Sequence, residues 1–225
     1  MVKRSSVSFI AATLSRNLIQ LFLACVRTLK KVAHLSCQVS KIPNDTDDTS
    51  SNQDRIDWIL RPATKEDAGR CEKLLIESYS TLLPQDYDRD TLSKALPVFT
   101  APHEDLLTCG TWYVVEHPTT NQMVGLGGWT LKASGPASKL TENACPHLRQ
   151  FATHPGWTRR GVGQAIWRRI LSDVAVAVGS TELEVFSSRT AEDFYASVGF
   201  VPVKHVDIPI SEDCIFTVIL MRREP

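Results

Sequence analysis

The chain has 225 residues, 43% of them apolar, enough for one sizeable core. Its formal net charge of zero hides an asymmetry: residues 1–41 hold seven Lys or Arg and no acid, while the rest holds 18 basic against 25 acidic residues. An acidic body excludes general nucleic-acid binding, which needs a basic face.

Residues 1–40 are basic, acid-free and apolar between the charges. Arg16, Asn17 and Gln20 interrupt the apolar run over 8–26, so no stable membrane span is expected. The lack of acids resembles an organelle transit peptide and implies an intracellular protein. A poor signal peptide, an amphipathic helix lying on a membrane surface, and an extension absent from the mature protein stay open as alternatives. Residues 41–55 are a polar linker with hardly any apolar side chain. The folded domain is expected over 56–225.

Within it, IDWILRP reads as a short strand ending at Arg61-Pro62. Thr64 then N-caps a helix over roughly 65–82, with Asp67 three residues on and Ala68, Cys71, Leu74, Leu75 and Ser78 along one face. A second helix is placed within Arg89–Leu96, stopping before Pro97. TWYVVEHP and MVGLGGWTLK form a hairpin about Asn121-Gln122. Residues 133–146 read as a loop, and HLRQFATHP as the fourth strand. A third helix over 162–178 repeats Val162, Ile166, Ile170, Val174 and Val178 as a buried stripe, with Gly179 as C-cap. ELEVFSS is a strand, and TAEDFYASVG a helix capped by Thr190 and stopped by Gly199. FVPVKHVDIPI and CIFTVILMRR are the last strands, joined by a loop over His205–Asp213. The order specifies an α/β domain with a largely antiparallel sheet.

The six cysteines form no C-x-x-C pair and have no His at zinc-ligand spacing, so no metal is expected. Asp86, Asp88 and Asp90 lack the later Gly and Glu of a calcium loop.

The densest chemistry lies in RQFATHPGWTRRGVGQ, Arg149 to Gln164, directly before the third helix. A helix N-terminus offers unpartnered N–H groups and partial positive charge to an anion. Gly161 and Gly163 let a diphosphate approach the backbone, and Arg159 and Arg160 add charge at the mouth. An ordinary tight turn is the alternative for the two glycines.

This segment, together with AEDFYASVGF and the opening RPAT-x-x-D, resembles the GCN5-related N-acetyltransferase (GNAT) superfamily over about residues 56–225. TRRGVG is similar to its acetyl-CoA signature, with Thr158 where Gln or Arg is usual. Ser188 stands where an Asn is often found. The resemblance implies a mixed, mostly antiparallel sheet of six to seven strands flanked by helices, with the fourth and fifth strands splayed, as in small single-domain members. It implies acetyl-CoA as co-substrate. The pantetheine arm would pair with Phe151, Ala152 and Thr153. The diphosphate would sit on Arg159, Arg160, Gly161, Val162, Gly163 and Gln164, with Ser188 opposite.

The resemblance makes Tyr195 the acid that protonates the leaving thiolate. Many relatives carry a basic Glu on the fourth strand, and this strand has none. His147, His154 and Glu116 are the candidates for that role. Trp129, His147 and Gln150 are candidates for addressing the acceptor, a core tryptophan being the equal alternative for Trp129. Asp207, Glu212 and Asp213 of the last loop are offered as attractants for an amine, or as solvated charges. The function implied is acetyl transfer to a primary amine of a small molecule or peptide. A non-catalytic acyl-CoA-binding module of the same fold is the alternative. A homodimer is left open.

Overall fold

The computed structural model describes residues 58–131 and 145–225. The N-terminal extension, the linker and most of the loop expected at 133–146 lie outside them. Seven strands form one sheet: β1 (Ile59–Pro62), β2 (Trp112–Glu116), β3 (Met123–Thr130), β4 (His147–Thr153), β5 (Leu183–Ser187), β6 (Val201–Ser211) and β7 (Cys214–Arg223). Their order across the sheet is β1-β2-β3-β4-β5-β7-β6, antiparallel except for β4 and β5. The helices are α1 (Ala68–Leu82), α2 (Arg89–Phe99), α3 (Glu104–Thr108), α4 (Val162–Val178) and α5 (Glu192–Ser197). Among the described residues no helix is long and apolar enough to cross a membrane.

Strand alternation sorts the core into two faces. Trp112, Val114 and Leu126 face one way and pack with Cys71, Leu74 and Leu75 of α1 and Leu106 and Leu107 of α3. On the same side, α2 packs Leu92 and Ala95 against Phe216, Val218 and Leu220 of β7. Tyr113, Val115, Trp129 and Leu148 face the other way, against Val162, Ile166, Ile170 and Val174 of α4. Burying each such aliphatic side chain contributes about 1.5–3 kcal/mol.

Val178 departs from the expected stripe and is 40% exposed. It lies about 20° around the helix from Trp167, which is buried, so its exposure comes from its place as the last residue of α4, before Gly179, and not from its side of the helix. Trp167 joins the buried stripe, which the repeat of four does not include. Helix α2 runs through Pro97 to Phe99. The missing N–H leaves only the carbonyl of exposed Ser93 unserved, and Thr100 closes the helix with both N–H and Oγ1 on Leu96 O. Helix α3 was not expected, since five residues are too few to show a period. Thr190 is not a cap: its Oγ1 donates to Asp86 Oδ2 at 2.6 Å, and Ser188 precedes the 3-10 turn 189–191 that leads into α5. The last loop shrinks to a turn at Glu212-Asp213, because β6 continues through Ser211.

Candidate functional site

Strands β4 and β5 pair at one register position only, His147 with Glu184. Beyond it they part, which leaves a slot between the Phe151–Thr153 end of β4 and the Ser187-Ser188 end of β5. The N–H of His154 donates to Val124 O of β3. By alternation the main-chain groups of Ala152 also face β3, while those of Phe151 and Thr153 face the slot. Ala152 is thus a buried residue on the α1 face rather than a pairing edge. Helix α1 reaches the slot carbonyls: Ser78 Oγ donates to Thr153 O at 2.9 Å and Tyr79 OH to Phe151 O at 3.4 Å. Each carbonyl keeps a second lone pair.

The slot leads to the start of α4. Gly161 caps that helix with φ +86°, and Arg159 before it has φ +61°. The first intrahelical bond runs from Ala165 N to Gly161 O at 2.9 Å. The N–H groups of Val162, Gly163 and Gln164 therefore precede the helical ladder. Arg159 and Arg160 are exposed beside them, and Arg160 lies over the Trp157 ring at 5.3 Å. A Cβ on Gly161 would lie 3.3 Å from Trp58, and one on Gly163 3.1 Å from the Phe194 ring. Gly163 therefore has a packing reason of its own.

Tyr195 on α5 is 5% exposed and wedged among Phe151, Phe194 and Phe200. Its hydroxyl has no hydrogen-bond partner among the described residues. Burial raises its pKa, with a smaller push from Tyr79 nearby, so the phenol stays protonated at neutral pH. Burial raises Tyr79 in the same way.

Residues 115–210 match the model of an acetyltransferase (GNAT) domain. The chain carries a GNAT acetyltransferase domain. A GCN5-related N-acetyltransferase from Rhodopseudomonas palustris superposes with a TM-score of 0.58 at 21% identity, over 74% of this chain and 95% of that one. The PaiA N-acetyltransferase of Thermoplasma acidophilum, solved with coenzyme A, gives 0.53 at 11% identity, over 75% and 99%. A GNAT-family acetyltransferase from Staphylococcus aureus gives 0.52 at 12% identity, over 75% and 99%. These identities speak for the fold. No curated protein matches the sequence.

The GNAT domain scatters the remaining sequence candidates. Glu116 sits at the β1 edge of the sheet, bonded by Arg61 at 3.0 Å and Arg70 at 2.6 Å. Burial pushes its pKa up, but the two guanidinium partners outweigh that and hold it low, so it is a poor base. His154 Nδ1 accepts the Gly156 N–H at 3.1 Å, and its Nε2 lies 3.2 Å from Gln122 Nε2, which makes it a loop cap. Trp129 joins the core under α4, on the far side of the sheet from His147 and Gln150. Asp207 is a strand residue that accepts from Thr217 Oγ1, and Asp213 binds Lys94 at 2.9 Å.

His147 alone among the proposed bases stands at the closed end of the slot. It is 1% exposed and stacks on Phe186. Its Nε2 lies 2.9 Å from Glu184 Oε2 without the alignment of a ring N–H bond. Arg222 holds Glu184 Oε1 through Nε at 3.0 Å and Nη2 at 2.5 Å. Burial lowers the His147 pKa against the opposing pull of Glu184, so the imidazole is neutral at pH 7. Gln150 sits in a β-bulge opposite Gly127 with φ +36°. Its Nε2 donates to Phe99 O and Ala101 O at 3.0 and 2.9 Å, and its buried Oε1 has no partner among the described residues. Sequence reasoning missed Glu184, whose signal is a charge set between Leu183 and Val185 in a buried strand. It also missed Tyr79 as a slot residue. A shallow cleft of about 250 Å³ between Arg70, Lys73, Glu77 and Gln122 touches none of the slot residues.

Proposed function

We propose that the domain transfers an acetyl group from acetyl-CoA to a primary amine of a small molecule or peptide, by direct attack on the thioester. The observation that carries this is the single contact between β4 and β5, which opens a slot ending on the N-terminus of α4. The pantetheine arm pairs with the main chain of Phe151 and Thr153, exchanging for the α1 hydroxyls. The diphosphate rests on the N–H groups at 159–164, with Arg159 and Arg160 alongside and Ser188 across the slot. No metal takes part in this scheme.

Direct transfer needs a neutral amine, a polarised carbonyl and a proton for the departing thiolate. Tyr195 supplies that proton. The burial that weakens the phenol as an acid also makes a thiolate beside it more basic, so the two remain matched. His147, neutral and braced by Glu184, takes the amine proton.

The test is calorimetric titration of the full chain with acetyl-CoA, followed by thiol release against an amine panel. Tyr195→Phe should lower turnover about 100-fold or more while the acetyl-CoA Kd stays within about twofold. Unchanged turnover removes Tyr195 from the chemistry. Tyr79 lying on the Phe151 carbonyl favours a second reading, an acyl-CoA-binding module without transfer. Binding with no amine-dependent release across the panel would select it.

A further inference from the structure

Most partly buried arginines of this domain find carboxylates. Arg61 binds Asp67 and Glu116, Arg169 binds Asp173, and Arg222 binds Glu184. Arg223 instead donates to the Thr181 and Glu224 carbonyls, and Arg149 is left with neither a carboxylate nor a carbonyl among the described residues. It is half-buried on β4, two residues beyond His147. Strand alternation puts it on the same face of the sheet as His147. Among the described residues its guanidinium makes one hydrogen bond, a long one of 3.4 Å to Thr130 Oγ1, and has no carboxylate within ion-pair distance. Burial holds its pKa below the usual arginine value. Keeping a cation partly out of water without a counter-charge is costly, and a position that does so is poised for an anion from outside.

The neighbouring residue supplies the complementary half. The bulge puts Gln150 beside Arg149 toward α2, and carbonyls at the C-terminal end of that helix turn its amide so that Oε1 is left as a buried, unpartnered acceptor. Arg149 and Gln150 thus follow His147 along β4, with Arg149 on the same face of the sheet and close enough for its charge to be felt at the imidazole. That pattern complements a molecule with a carboxylate a few bonds from an amine.

We propose that the acceptor is an amine that carries a carboxylate, a free α-amino acid being its smallest form. Arg149 binds the carboxylate and Gln150 Oε1 takes an amine N–H, which turns the nitrogen lone pair toward the thioester. This deepens the N-acetyltransferase reading above and rests on it.

The experiment compares the full chain with Arg149→Gln and Arg149→Lys. Acetyl-CoA-dependent thiol release is measured with each of the common α-amino acids beside its primary amide, and acetyl-CoA affinity by calorimetry on the same samples. For the wild type, kcat/KM should favour the preferred acid over its amide by about 30-fold or more. Arg149→Gln should erase that preference, mainly through KM, with donor affinity unchanged, and Arg149→Lys should restore part of it. Amides used as well as acids, or a preference that survives Arg149→Gln, overturn the proposal. Turnover of amides alone overturns it while the transferase reading stands. Donor binding without any turnover sinks both, and so does the absence of donor binding.

Discussion

Gly161→Ala tests the anion cradle, on which the functional assignment depends. The residue caps α4 with φ +86°, and the added methyl would meet the far edge of the Trp58 ring at 3.3 Å. An L-residue in that conformation costs about 1–2 kcal/mol. Alternatively the turn relaxes, and the N–H groups of the first helical turn swing away from their common focus. For a domain of this size the melting point should fall by about 2–8 °C. A charge-assisted bond to phosphate contributes about 1.5–3 kcal/mol, so misdirecting one should weaken acetyl-CoA binding about 10- to 100-fold. The same helix provides the control. Gly179 caps its other end with φ +74°, and a Cβ there meets nothing within 4 Å. Gly179→Ala should lose comparable stability and keep full affinity. The pair is read by thermal melting and calorimetric titration. Binding within twofold of wild type for Gly161→Ala would refute the cradle. Equal loss of affinity in both variants would mean that destabilisation, not the cradle, was being measured.

Acid should act first through His147 and later through Asp67. The His147 pKa is lowered in the fold, so the unfolded chain takes up that proton more readily, and stability declines as pH drops below about 6.5. Asp67, held by Arg61 at 2.7 Å, has its pKa pushed down from 3.8 to about 2. Its contribution, about 2 kcal/mol, is present above the unfolded value and lost as pH falls from there toward 2. Denaturant melts from pH 7 to 3 should show both declines, and Asp67→Asn should flatten the lower one; an unchanged acid limb would dismiss the Arg61 account. Glu184→Gln removes the charge that Arg222 and His147 share and should cost about 2 kcal/mol, less than a fully buried pair because Arg222 is 35% exposed. Hydrogen exchange at the Glu184 amide, bonded to Pro146 O at 2.9 Å, should quicken with it; protection equal to wild type would show that the ion cluster does not brace the strand junction.

What was legible in the sequence was local. The candidate cradle stands out because a left-handed cap and a helix start need glycine at fixed offsets, and Tyr195 is picked out by the resemblance of AEDFYASVGF to the GNAT segment. The helix stripes and most strand limits follow from periodicity in the same way. The misplacements involve partners far apart in sequence. Glu116 looked available as a base because nothing in WYVVEH reveals that Arg61, 55 residues earlier, lies across the strand pair. Trp129 follows GLGG, and three glycines erase the alternation that would say which face the indole takes. Arg149 lay in plain sight within the fourth strand, but its significance is the lack of a counter-charge among the described residues, which depends on the packing around it.

The slot persists because its walls are satisfied without pairing to each other. Two strands that run side by side at His147 and Glu184 would ordinarily continue to zip, since unpaired main-chain groups in a sheet interior are costly. Here hydroxyls from α1 and the segment after it stand in for the missing ladder. Ser78 serves Thr153 O, Tyr79 serves Phe151 O, and on the opposite wall the Arg189 N–H donates to Tyr87 Oη at 2.9 Å. Such side-chain bonds contribute about 1 kcal/mol each and break one at a time, whereas a strand pairing is lost only as a unit. An amide-bearing ligand with donors and acceptors at strand spacing can therefore displace them individually. The ion cluster of Arg222, Glu184 and His147 fixes where the strands part, so the opening has a fixed floor, and Arg149, without a counter-charge among the described residues, follows two residues along β4.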